Sequence, residues 1–137
     1  MTITLLATIA VCLSLALLSG CDSPSDAEAI AARLRQHYHD RPLNYGWMLA
    51  GIDVPSPHEI VVNVQIDGEG LTDSKGLAES KAMAEQIRLR NRMDQMAIAR
   101  IACPNTESAQ FGPLPQEVRL FIALKNQRGE FIRAQCK

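Results

Sequence analysis

The chain has 137 residues, and its 14 Lys and Arg nearly cancel its 15 Asp and Glu, leaving a formal net charge of −1 at pH 7. That balance argues against a nucleic-acid partner, whose electrostatic footprint is a clustered basic surface. Once an N-terminal leader is set aside, the remaining length is that of one ordinary domain with a single core.

The leader takes residues 1–20. Residues 2–18 are mostly Leu, Ile, Val, Ala and Thr with no charge. Such a run is long for a signal-peptide core and marginal for a span, which takes about 20 apolar residues. The leader has no Lys or Arg, so the Met1 amino group is its positive end. Leu18-Ser19-Gly20-Cys21 closes the run. This tetrapeptide resembles the lipobox of bacterial lipoproteins. The resemblance implies that Cys21 is alkylated with diacylglycerol, that the chain is cut just before it, and that the new amino group is acylated. Each buried methylene adds about 0.8 kcal/mol and one myristoyl chain alone holds only marginally, so three chains would anchor the protein essentially permanently. The expectation is a membrane-anchored protein of the bacterial envelope facing the periplasm. Asp22 resembles the signal that keeps lipoproteins in the inner membrane.

Residues 21–137 then read as one α+β domain. Ser23-Pro24-Ser25-Asp26 predicts a helix start, with Ser23 as N-cap and Pro24 at the first helical position. Ala27, Ile30, Ala31, Leu34 and Tyr38 recur at helical spacing, to about His39, before Arg41-Pro42 stops the helix. A first strand is predicted over 45–54, broken by Pro55-Ser56-Pro57, and a second over 59–67, with Gly68-Glu69-Gly70 ending it. In the second, Ile60, Val62, Val64 and Ile66 alternate with Val61, Asn63 and Gln65, which predicts one buried and one wetter face.

Residues 74 to about 102 contain no proline and one early glycine. They predict a single helix of roughly 40 Å at 1.5 Å per residue, ended by Cys103-Pro104-Asn105. A loop rich in Pro, Gly and Ser leads to a second hairpin. Val118, Leu120, Ile122 and Leu124 alternate with Arg119, Phe121, Ala123 and Lys125; Asn126-Gln127-Arg128-Gly129 turns the chain, and 131–136 returns. The predicted architecture is helix-hairpin-helix-hairpin (αββαββ), a four-stranded, mainly antiparallel sheet with helices on one face.

Of the four cysteines, Cys12 leaves with the leader and Cys21 is taken by lipid, which leaves Cys103 and Cys136 as an even pair in an oxidising compartment. A structural disulfide is expected. The rivals, a catalytic thiol or a metal pair, lack a Cys-x-x-Cys motif or a histidine partner. His37, His39 and Asp40 cluster at the first helix end, where two histidines separated by one residue point to different sides and chelate poorly; interaction with the helix C-terminus accounts for them. His58 beside Glu59 reads as a solvated turn. No Gly-x-Ser-x-Gly elbow, metalloprotease pattern or phosphate loop is present. Neither a cofactor nor a metal is expected, and the protein reads as a non-enzyme.

Two apolar stripes run along the predicted long helix. Met83, Ala84, Ile87, Ile98, Ile101 and Ala102 form one, interrupted by Asn91 and Asp94. Ala78, Ala82, Leu89, Met93, Met96 and Ala97 form the other, on roughly the opposite side. A helix covering a sheet needs only one broad apolar face. The second stripe either packs against the first helix or the loop after Cys103, or makes a groove for a partner, with Leu89, Met93, Met96 and Ala97 as the candidate contacts. Lys81, Arg88 and Arg92 lie between the stripes, either solvated or against lipid phosphates.

With this layout, residues 18–137 resemble the small α/β pilotin lipoproteins of type II secretion systems in their lipobox, short first helix, hairpin, helix ending in Cys103-Pro104, and hairpin ending at Cys136. The resemblance implies a sheet backed by helices, Cys103 bridged to Cys136, and an apolar groove that binds a short C-terminal helix of the secretin subunit. Asp22 and the length of the second helix depart from that pattern. The expectation is therefore a non-catalytic binding or assembly accessory with an envelope protein partner. An inhibitor or immunity protein against a periplasmic toxin or hydrolase is the alternative.

Overall fold

A computed structural model describes residues 25–41, 43, 46–67, 74–107 and 112–136. The expected leader, Leu18-Ser19-Gly20-Cys21, Asp22, Ser23, Pro24 and Gly68-Glu69-Gly70 lie outside these residues. No described helix is long and apolar enough to cross a membrane.

The first helix, α1, spans Asp26–Asp40. It starts two residues later than predicted because Ser25, not Ser23, is the N-cap. Ser25-Asp26-Ala27-Glu28 has the capping-box spacing, and the Ser25 hydroxyl accepts from the Glu28 amide at 3.3 Å. The predicted apolar positions are the buried ones, from Ala27 to Tyr38. Arg41 ends the helix in extended backbone, its amide donating to the His37 carbonyl.

Strands β1 (Met48–Ser56), β2 (Glu59–Gln65), β3 (Arg119–Asn126) and β4 (Gly129–Gln135) form one mixed sheet in the order β1-β2-β3-β4. Both hairpins are antiparallel, and β2 and β3 run parallel at the centre. A parallel pair needs a crossover, which the second and third helices supply; the described helices lie on one face of the sheet and share one core with it. Ile60, Val62, Val64, Leu120, Ile122 and Leu124 fill the core beneath them, each no more than 1% exposed. Burying such a side chain is worth about 1.5–3 kcal/mol.

Two strand expectations are corrected. β1 runs on to Ser56 and includes Pro55, which an edge strand tolerates where its register with β2 shifts between Asp53 and Ser56. The expected wet face of β2 is dry at Val61 and Asn63, 3% and 5% exposed. The reason is position. β2 is interior, with Asp53 and Phe121 flanking Val61, while Asn63 donates to the Asp53 carboxylate at 2.8 Å. Each edge strand has one backbone carbonyl occupied by an arginine: Arg35 donates to Ile52 on β1, and Arg100 to Gln135 on β4.

The single long helix is contradicted. The segment folds as α2 (Ser74–Arg88), α3 (Arg92–Ala99) and a 3₁₀ turn, Arg100–Ala102. Asn91 causes the break. Its backbone is extended, its side-chain oxygen accepts from the Asp94 amide at 3.0 Å, and its amide nitrogen donates to the Asp94 carboxylate. Gln95 then donates back to the carbonyl of Arg88 at 2.8 Å, and more weakly to that of Ile87, which also accepts from the Arg90 amide. The asparagine that interrupted one apolar stripe is the cap of a new helix.

Candidate binding cleft

The break turns the chain back on itself, and an apolar cleft of about 330 Å³ opens between α2, α3 and the start of β1. Trp47, Met83, Ile87, Ile98 and Ile101 line it, with Gln86 and Arg90. Its size is at the lower end of small-ligand sites and its lining is mostly apolar, as such sites are. Met83 and Ile101 are 51% and 61% exposed, so the apolar surface continues out of the cleft.

Trp47 is set by the residue before it. Gly46 has φ +78°, and a Cβ there would collide with the Ser80 hydroxyl. Ser80 is buried on α2 and shares its proton between the carbonyls of Ile66 and Gly46, at 3.2 and 3.4 Å. One serine thus ties α2 to the end of β2 and to the approach to β1. The glycine lets it come close.

Ile101, also in the lining, belongs to the 3₁₀ turn. Ala102 beside it accepts a 2.6 Å hydrogen bond from the buried Tyr38 hydroxyl. Burial holds the Tyr38 pKa well above its ordinary value near 10. Cys103, next again, is bonded to Cys136 with Cα atoms 5.8 Å apart, so the expected disulfide is present. A smaller cavity of about 130 Å³ lies behind, between the end of α1 and this turn, and it shares Trp47 and Ile101 with the cleft.

The four residues expected to contact a partner do not line this cleft. Leu89 and Met93 stand 70% and 71% exposed at the α2–α3 junction, and Ala97 is also exposed. Met96 is half-buried and packs against the core. Ala78 and Ala82 are exposed as well, so the second stripe divides between solvent and core rather than forming one groove. The cleft comes instead from the stripe expected to face the sheet, of which only Ala84, Ile87 and Ala102 are buried. Sequence reasoning missed it because its walls depend on the turn at Asn91; the Asn-x-x-Asp spacing was the available signal. Lys81 and Arg92 are exposed, and Arg88 pairs with Glu85 on its own helix.

The other candidates stay apart from the cleft or from one another. Among the described residues, no three His, Cys, Asp or Glu side chains group closely enough to hold a metal ion. His39 and Gln36 both bond the Asp40 carboxylate, which these hydrogen bonds hold below the usual carboxylate range, Gln36 contributing most. His37 lies edge-on to Tyr38, and burial, helped by Arg41, lowers its pKa. His58 is exposed in the first hairpin turn. Asp67, 5% exposed, borders a polar pocket, where it accepts from the Gln127 amide and the Gln65 side chain. These bonds make it the brace between β2 and the second hairpin.

No family model, curated protein or solved structure matches the chain.

Proposed function

We propose that this is a non-catalytic, lipid-anchored module of the bacterial envelope, facing the periplasm, whose cleft between α2 and α3 binds an apolar segment of a partner protein. It would serve assembly of a membrane complex, of the kind that pilotin-like lipoproteins serve in secretion. The cleft is the observation that carries this reading. Apolar walls that spill onto exposed Met83 and Ile101 suit a partner that brings its own apolar face, and flexible methionine adapts to it. The lipobox supports the anchor, and the disulfide suits an oxidising compartment.

The test uses native protein purified from solubilised envelopes. Its mass should show a lipid-modified Cys21 and no leader, and a membrane-complex subunit should co-purify with it. Met83→Asp or Ile101→Asp, both at exposed positions, should abolish that capture while the domain stays folded. Undiminished capture by the folded variants contradicts the cleft, and a bare Cys21 contradicts the anchor.

A further inference from the structure

We infer that the Cys103–Cys136 disulfide sets the shape of the cleft, which makes the cleft oxidation-dependent. The inference deepens the reading of the cleft as a binding site and rests on it for its biological meaning. Ile101 is mostly exposed, so its own packing does little to fix the wall it forms. Its neighbours hold it. Arg100 donates to the Gln135 carbonyl at 3.1 Å, Ala102 accepts from Tyr38 at 2.6 Å, and Cys103 is bonded to Cys136. Cys136 is in turn fixed to the sheet, its amide donating to Leu120 at 2.8 Å. Two of the three tethers therefore end on adjacent residues at the close of β4, and the disulfide is the covalent one. Trp47, which also lines the cleft, borders the cavity that Tyr38, Ala102 and Cys103 line, so a shift of the turn reaches its surroundings on both sides.

Reduction by a dithiol passes two electrons and two protons to the sulfur pair. The S–S bond breaks, Cys103 and Cys136 become thiols, and the reagent closes to its own disulfide. The hydrogen-bonded ladder between β3 and β4 does not pass through that bond and stays in place. The turn keeps the Arg100 and Tyr38 hydrogen bonds and the packing of buried Ala99 and Ala102, but loses its covalent tie to the end of β4 and loosens at Ile101.

The experiment follows the full lipoprotein in detergent micelles as dithiothreitol is added, with thiols counted by alkylation and mass. Trp47 is the single tryptophan of the chain, so its emission reports the cleft. On reduction the emission should move to longer wavelength and become more open to acrylamide. The methyl resonances of Ile98 and Ile101 should shift, while those of Ile60 and Ile122 in the sheet hold still. Unchanged Trp47 and Ile101 signals in fully reduced protein overturn the inference. Should reduction melt the whole domain, it is repeated in a stabilising osmolyte that keeps the Ile60 and Ile122 signals native: a shift of the Trp47 and Ile101 signals there supports the inference, and silence overturns it. No partner enters the measurement, so a cleft indifferent to reduction leaves the binding reading standing.

Discussion

The Tyr38 hydroxyl reaches the Ala102 carbonyl across 64 residues of sequence, joining the last turn of α1 to the turn that ends the crossover. Both groups are buried, so removing the hydroxyl takes from the Ala102 carbonyl the partner it has in the fold. Tyr38→Phe should cost about 1–3 kcal/mol, the penalty of an unsatisfied buried acceptor, read as a lower urea midpoint at unchanged slope.

The same pair makes a pH prediction. The folded pKa of Tyr38 is raised above its unfolded value near 10, so folding favours the protonated form. That contribution is complete below pH 10 and is lost as pH rises through it toward the folded value. Urea midpoints should therefore fall above about pH 10, and Tyr38→Phe should flatten that decline.

The disulfide closes a loop with a sequence separation of 33. In the chain-entropy model, replacing both cysteines by serine should lower stability by about 3–4 kcal/mol. Equilibrium unfolding of the oxidised and double-serine proteins measures the difference.

Asn91→Ala separates the two accounts of the crossover. In a continuous helix the change would stabilise, because alanine is the better helix former. As N-cap of α3, Asn91 should be worth about 1 kcal/mol, and Asn91→Ala should destabilise by that amount. Thermal unfolding reads the sign directly.

What the sequence made legible follows from local rules. Alternation marked β2 and β3 and 3.6-residue spacing marked α1, because each pattern is set by neighbours along the chain; the Cys103–Cys136 bond was legible as the pair left once Cys12 and Cys21 were set aside. The parallel pairing of β2 with β3 was not legible, since alternation is the same whichever strand lies alongside. Burial of Val61 and Asn63 follows from that pairing and was hidden with it. At Asn91 the absence of Pro and Gly outweighed a capping signal that was present. The cleft was lost at the same step, because its lining comes from both sides of the break, Met83 and Ile87 before Asn91 and Ile98 and Ile101 after it.

Leu89 and Met93, the partner contacts expected from helical spacing, are about 70% exposed. Leu89→Asp and Met93→Asp should each change stability by no more than about 0.5 kcal/mol. If the cleft is the binding surface, both variants should keep the partner that Met83→Asp loses.

Site-specific photocrosslinking in intact cells tests the cleft most directly. A photoreactive residue at Ile101 should join the protein to one envelope protein, and the same residue at exposed Gln127, in the second hairpin turn, should not. An adduct from Gln127 with none from Ile101 would contradict the account.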